Sequence, residues 1–525
     1  MKFCSISTRN LRPLIAAGSA ISGLLMPSTA FAQLPTPTYG WNLGNTMEPP
    51  CGVGCWGGTP SQGLINAVGN AGFNTVRIPC AWDSHADQKT YQIDAAYMAQ
   101  VKQVVDWCYA RGLTVIVNDH WDGGWLENHL TGAVDPKINA KMKSYWTQIA
   151  ATFAGYDHRL LFAAANEPSV KTAEQMSELM TYYQTFVDAV RAGGSNNNAR
   201  WLVVQGPTAD IDATSSLMNT LPKDPTPRRL MVEIHFYGPY QFCLMDSDQS
   251  WGKMFYFWGQ GYHSATLPSR NATWGEEAVV DAQFQKMYDK FASKGIPVIV
   301  GELRAEPRKA NQELDGANLE LNHAATTYWN KYVVDSAQSH GLSPICWDTP
   351  GSIFDFKNGV VLDPAAARSM TGGSAVPPPG GDGAQYCFEL SKQGVTSSGK
   401  SITDIALSTA RKYAGSQSLA LSFSGAASSS SVSVAAPSTP AGKKITFRVW
   451  IPKGSKISAV QPYAIDRNRV RTGTSKPIKN LKTNAWNTLT VTVPSKAATP
   501  LQQCGVQFTA SAQWTGTCYV DSISW

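Results

Sequence analysis

The chain has 525 residues, too many for one ordinary domain and comfortable for two. Charged residues make up only 16% of it, while Trp and Tyr number 17 and 19. A surface of rings and amides suits a neutral, hydroxylated ligand and speaks against a phosphorylated one.

The first residues read as an export signal. Lys2, Arg9 and Arg12 give a positive start, Leu14 to Met26 is apolar, and Ala30-Phe31-Ala32 offers a small-x-small cleavage site. The apolar core is too short to span a bilayer, and no later run is apolar enough to do so. Residues 1–32 are therefore expected to be a signal peptide, leaving a secreted, soluble chain. Nine cysteines remain after cleavage, an odd number, so at least one stays unpaired. Cys51 with Cys55, or Cys504 with Cys518 flanking an expected hairpin, could be bridged; spacing alone does not choose.

Short β-branched runs then alternate with longer amphipathic ones. The strand candidates are Tyr39–Asn45, Asn74–Pro79, Leu113–Asn118, Leu160–Ala165, Trp201–Gln205, Leu230–Phe236, Pro297–Gly301 and Pro344–Trp347. Helical patterns between them include Ala95–Ala110, Lys137–Phe153, Ala173–Arg191, Ala278–Ser293 and His323–His340. Parallel strands need such crossovers, and eight repeats in one domain favour a closed (β/α)8 barrel, a TIM barrel, over residues 33–371. Residues 372–384, with three consecutive prolines, read as a linker. From 385 to 525 short alternating strands punctuated by Gly, Ser, Thr and Pro predict a β-sandwich. This tail holds 16 Lys/Arg against 4 Asp/Glu, a net charge of +12. Such charge is read as a solvated face rather than a nucleic-acid surface.

Active sites of such barrels collect at the C-terminal strand ends. There the sequence places Trp41-Asn42, Arg77, Asn118-Asp119-His120-Trp121, Asn166-Glu167-Pro168, His235-Phe236-Tyr237, Glu302 and Trp347-Asp348. Two carboxylates on strands four and seven can face each other across the mouth. Glycoside hydrolysis needs such a pair, one to protonate the departing oxygen and one to meet the anomeric carbon.

These motifs, in this order over most of residues 38 to 365, resemble glycoside hydrolase family five, especially its endoglucanase and xyloglucanase members. The resemblance implies Glu167 as acid/base and Glu302 as nucleophile. It implies Asn166 on the sugar 2-hydroxyl, and Arg77 and Tyr237 on the nucleophile. His120 and His235 would line the subsite of cleavage, with Trp347 as its floor. Arg77 is expected to hold the nucleophile's pKa down, while burial and repulsion raise that of the acid. No cofactor or metal is implied.

Trp41, Trp121, Trp125, Trp251, Trp258 and Trp274 are further candidates for stacking on sugars or for core. The sequence departs from the family at Trp121, at Leu303-Arg304 and at Asp348-Thr349, which touches neighbouring subsites rather than the carboxylates. The tail resembles jelly-roll carbohydrate-binding modules. Alternation puts Ile445, Phe447 and Val449 inward and Trp450 outward, with Tyr463 and Trp514 as companions for a sugar ring and Trp486 as packing. The expected activity is retaining endo-β-1,4-glucanase on cellulose or a related β-glucan, with xyloglucanase or β-mannanase as alternatives. A barrel metallohydrolase using the histidines with Asp119 and Asp348, and a non-catalytic polysaccharide-binding protein, are the rivals from other classes. The expected partner is β-glucan polysaccharide (cellulose, xyloglucan or mixed-linkage glucan), with no nucleic acid, no membrane and a monomeric chain.

Overall fold

The computed structural model describes residues 34–373 apart from 315, and 384–525 apart from 385, 387, 389–391, 393–394, 415–416, 436, 438 and 440. The expected leader and most of the expected linker lie outside the described residues. Among the described residues no helix is long and apolar enough to cross a membrane.

Eight parallel strands close into a barrel in sequence order. They are β1 (Gly40–Asn42), β2 (Thr75–Ile78), β3 (Thr114–Asn118), β4 (Leu160–Ala163), β5 (Leu202–Gln205), β6 (Leu230–Phe236), β7 (Val298–Leu303) and β8 (Leu342–Cys346). Helices cover them outside, so the strands are buried on both faces and read as near-continuous apolar runs. The helices begin where side chains can satisfy their free N–H groups: Asp94 accepts from Tyr97, Asp135 precedes Pro136, and Thr172 with Gln175 forms a capping box. The expected strands and helices agree with these within a few residues at each end, except that the helix expected from His323 already begins at Gly316.

Successive strand residues face opposite sides. One set meets the helices; the other fills the lumen in layers. Ile116, Leu161, Val203, Met231, Ile299 and Ile345 pack a dry lower layer. Two residues further along their strands, Asn118, Gln205 and Glu233 join Asn42 and Arg77 in a fully buried polar layer. The lumen thus turns from apolar to polar towards the strand ends.

Strand β7 breaks the alternation once. Ile234 pairs with Val300, but His235 pairs with Glu302, so Gly301 is an extra residue in the ladder. Strict alternation would turn Glu302 towards the helices; the bulge returns it to the lumen beside His235. A short antiparallel pair, β9 (Phe354–Asp355) and β10 (Val360–Val361), follows the barrel.

The remaining strands form two antiparallel sheets. One joins β11 (Thr396–Ser398), β14 (Ser429–Ala435), β16 (Ile457–Ile465), β17 (Arg471–Thr472), β18 (Lys476–Pro477) and β20 (Gln503–Ala510). The other joins β12 (Ile402–Ser408), β13 (Ser418–Phe423), β15 (Lys444–Ile451), β19 (Ala485–Thr492) and β21 (Gly516–Ser524). Ile445, Phe447 and Val449 face their shared core as expected. Trp450 turns outward, yet Arg411 covers its ring at 5.1 Å and Tyr519 meets it edge-on, so it is not an open platform. Tyr463 is buried under Arg471, and Trp514 packs against Phe423. Neither offers a free ring face of the kind the sequence suggested.

The cysteines are also decided. Cys51 and Cys55 are bridged. Cys504 and Cys518 are separate buried thiols, and the hairpin expected between them does not form, since β20 and β21 belong to different sheets.

Candidate active site

The polar layer of the lumen leads directly into the mouth. Arg77, wholly buried at the end of β2, sends Nη1 to Asn42 Oδ1 (3.0 Å) and Glu302 Oε1 (3.2 Å). Its Nη2 reaches Asn166 Oδ1 (2.9 Å) and Glu233 Oε1 (3.0 Å). Tyr237 donates its hydroxyl to Glu302 Oε2 at 2.9 Å. Glu302 is thus held at both oxygens. Glu167, after β4, is quite different: its side chain is 45% exposed and its tie within the site is to His235 Nδ1, at 2.7 Å. Oxygens of the two carboxylates and His235 Nδ1 all lie within 4.8 Å of one another. That spacing matches the ~5–5.5 Å of retaining glycosidases and not the ~6.5–9.5 Å that leaves room for a water in inverting ones.

All eight expected site residues converge here. His120 stacks on Trp347 with ring centroids 5.5 Å apart and planes 8° from parallel. Its Nδ1 lies 3.2 Å from the Asn118 amide. A groove of about 980 Å³ is lined by His120, Asn166, Glu167, Tyr237, Glu302 and Trp347, and runs on to Arg308 and Asn311. A second hollow of about 350 Å³ touches Glu167 but not Glu302, and includes Tyr240, Trp274 and Gln283.

Other tryptophans divide. Trp121, Trp251 and Trp274 stand exposed on mouth loops, as does Trp56. Trp41, Trp125 and Trp258 are core: their indole N–H groups bind Asp348, Asp119 and the Gly275 carbonyl. The departure at Arg304 has a partner in place, since Arg304 Nη1 meets Asp348 Oδ1 at 2.6 Å and also supports the Trp347 carbonyl.

Electrostatics reverse both expectations for the carboxylates. Burial raises the pKa of Glu302, and neither His235 nor Arg77 fully offsets it. Glu167 is also pushed up by burial, but the hydrogen bond and charge of His235, with Arg77, bring it below its ordinary value. These groups therefore favour the ionised form at the exposed carboxylate. Burial works against charge on His235, yet Glu302, Glu167 and Glu233 carry it up to about 10. His120 goes the other way: burial, Arg77 and His235 keep it neutral. Tyr237 is held protonated by burial and by Glu302.

Sequence reading missed the residues beneath this site. Glu233 is wholly buried and receives Arg77, His235 Nε2 (3.2 Å) and Gln205 Nε2 (2.6 Å). The available signal was its position two residues before His235 on one strand, hence on the same face. Behind Glu167, Asp119 joins two residues that sequence reading missed, Asp122 and Glu127, and the three buried carboxylates repel one another. Among the described residues only Glu167, His235 and Glu302 gather three donors of metal-binding type. Asp119 and Asp348 lie outside that group, and positive charge beside it is already supplied by Arg77.

A barrel of this build hosts many chemistries, so the site and the chain's relatives must decide. Residues 37–351 match the family model for cellulase, glycosyl hydrolase family 5. The chain belongs to glycoside hydrolase family 5. As a family 5 enzyme it is a retaining glycoside hydrolase. It is 33% identical over 337 residues to endoglucanase A of Paenibacillus barcinonensis, covering 59% of this chain and 80% of that one. It is 34% identical over 329 residues to a xyloglucan-specific endo-β-1,4-glucanase of Bacteroides ovatus, covering 59% of this chain and 62% of that one. Among solved structures, a family 5 xyloglucan-specific β-1,4-glucanase from a ruminal metagenomic library, in complex with the oligosaccharide XXLG, aligns with a TM-score of 0.57. That pair is 38% identical, over 64% of this chain and 94% of the other.

Proposed function

We propose that this family 5 hydrolase is an endo-β-1,4-glucanase in which Glu302 is the nucleophile and Glu167 the acid/base. One observation carries the reading: two carboxylates within 4.8 Å, one fastened by Arg77 and Tyr237, the other exposed beside the second hollow. Glu302 attacks the anomeric carbon while Glu167 protonates the departing oxygen. The aglycone then lies on the side of Glu167 away from Glu302, where Tyr240 and Trp274 stand. Asn166, held by Arg77, meets the 2-hydroxyl of the bound sugar, and Trp347 with His120 forms the floor. Once Glu302 is esterified, Glu167 takes a proton from water and the glycosyl-enzyme is released with retained configuration.

The substrate is cellulose in soluble form or a related β-glucan. Xyloglucan is the second reading, favoured by the groove that continues past Trp347 and by the xyloglucan-specific relatives. Export through residues 1–32 and polysaccharide binding by 385–525 complete the proposal. The test is reducing-end release from carboxymethyl cellulose, barley glucan, xyloglucan and glucomannan. Wild type should cut at least one polymer and Glu302→Gln none, a fall of at least ~10³-fold. Equal rates for the two would remove Glu302 from the mechanism. A preference for glucomannan would instead make the enzyme a mannanase. Sedimentation of the full-length Glu302→Gln chain with insoluble cellulose reports on the tail, and a secreted product starting near Gln33 reports on the leader.

A further inference from the structure

Glu233 takes no part in the mechanism above, yet three site groups are built around it. Its carboxylate is wholly buried and accepts from Arg77, from His235 Nε2 and from Gln205 Nε2. The fold makes room for it at a cost, since a Cβ on Gly301 would lie 1.9 Å from Glu233 Oε1. The bulge residue that turns Glu302 into the lumen is thus the same residue that leaves space for Glu233. A carboxylate serving only to neutralise Arg77 would not need the second contact to His235.

Counting charges identifies what that contact does. Glu167, Glu233 and Glu302 are three carboxylates, and Arg77 supplies one fixed positive charge. With neutral His235 the cluster would carry two uncompensated negative charges, and two of its three carboxylates, Glu233 and Glu302, are buried, which makes that costly. Both ring nitrogens of His235 face carboxylates, Nε2 towards Glu233 and Nδ1 towards Glu167, so both are placed to carry a proton.

We propose that Glu233 is a positioning residue that keeps His235 protonated, so that His235 Nδ1 stores the proton which Glu167 delivers to the leaving group. This rests on the assignment of Glu167 as the acid. In the first step the bond from the anomeric carbon to the aglycone oxygen breaks and its electron pair stays on that oxygen. The oxygen takes a proton from Glu167, which takes one from His235 Nδ1, while a Glu302 oxygen bonds the anomeric carbon. Neutral His235 keeps its Nε2–H on Glu233. In the second step water attacks the same carbon, the bond from that carbon to the Glu302 oxygen breaks with its electron pair left on Glu302, and the water's proton passes through Glu167 back to His235. The cluster carries one net negative charge at rest and in the glycosyl-enzyme alike. The lowering of the Glu167 pKa by His235 and Arg77 then fits its task, because its proton waits one hydrogen bond away.

The groups facing this relay are Glu167, Glu233, Glu302, Arg77 and His120 around His235, with Tyr237 beside Glu302 and Tyr183 and Gln205 near Glu233. The full-length chain carries the test, as wild type, Glu233→Gln and Glu233→Asp. With the ring nitrogens of histidine labelled with ¹⁵N, His235 should remain an imidazolium above pH 8 in wild type. In Glu233→Gln it should titrate at least one pH unit lower, and in Glu233→Asp it should stay near wild type. The alkaline limb of kcat/KM, on whichever polymer wild type cuts, should move by the same amount in Glu233→Gln and be restored in Glu233→Asp. A neutral His235 at pH 7 in wild type overturns the proposal without any variant. So does an alkaline limb unmoved in a folded Glu233→Gln, or moved equally by the aspartate. The nitrogen titration needs no turnover, so a chain inactive on every polymer would sink the proposed activity and still reveal whether His235 holds the proton.

Discussion

Asp348 and Arg304 are buried to 0% and 3% exposure, and each is the other's charge partner. Asp348 also accepts from the Trp41 indole at 2.9 Å and the Ile353 backbone at 3.0 Å, so one carboxylate joins β1, β8 and the loop beyond. Asp348→Ala should cost about 3–5 kcal/mol in chemical denaturation, because it removes the buried partner of Arg304 and leaves the guanidinium only the half-exposed Glu306 at 3.4 Å as a charge partner. A loss below ~1 kcal/mol would mean that water reaches Arg304. At this scale the sequence was readable where motifs recur and opaque where they do not. The eight expected site residues all reached the mouth, because their spacing follows the strand ends. Glu233 stayed invisible, since a glutamate inside a strand looks the same whether it faces helix or lumen. Trp125 and Trp258 looked like surface platforms, and only their buried indole partners mark them as core.

The barrel strands were legible because Val, Ile and Leu runs buried on both faces resemble little else. Sandwich strands were harder. Ser429–Ala435 alternates serine with valine, and Ile402–Ser408 is similarly small and polar, so their outer faces carry no apolar signal. The bulge in β7 was not legible at all, since register depends on the neighbouring strand rather than on composition. It gives a sharp prediction. Gly301→Ala adds one methyl group where Glu233 Oε1 sits, so either the bulge or the carboxylate must move. We expect kcat to fall at least ~100-fold, as displacements of about 1 Å at reacting groups do, with the barrel still folded by circular dichroism. Unchanged kcat would show that the mouth tolerates a different register.

For the whole molecule, the acids lining the mouth set how stability follows pH. Burial raises Glu48 to about 7, Asp122 to about 6 and Glu127 to about 8. Their unfolded values lie near ~4, so between there and pH 8 the folded protein holds more protons than the unfolded chain. Stability from these groups is complete below that range and is lost as pH rises through it. His235 adds to the trend, being raised to about 10 from an ordinary value near ~6.5. Asp157, drawn down to about 2 by Arg159 against the effect of burial, contributes stability that is already complete by pH 5. Burial lowers His85, His120 and His323, which costs stability as pH falls below ~6.5 and opposes the trend there, so the melting temperature should decline chiefly from ~6.5 to pH 8. A flat or rising profile in differential scanning calorimetry would contradict the raised acids.

The one bridge in the described residues ties positions four apart in the chain, Cys51 to Cys55. Cys80, Cys108, Cys346, Cys504 and Cys518 are buried, and burial pushes every one of these thiols up, away from the reactive thiolate. Among the described residues the native link closes within a single loop, Cys243 is half-buried, and once the core has condensed the five buried sulfurs are out of reach of oxidants and shuffling catalysts alike. A host with little disulfide isomerase activity should make this enzyme as readily as one that is rich in it.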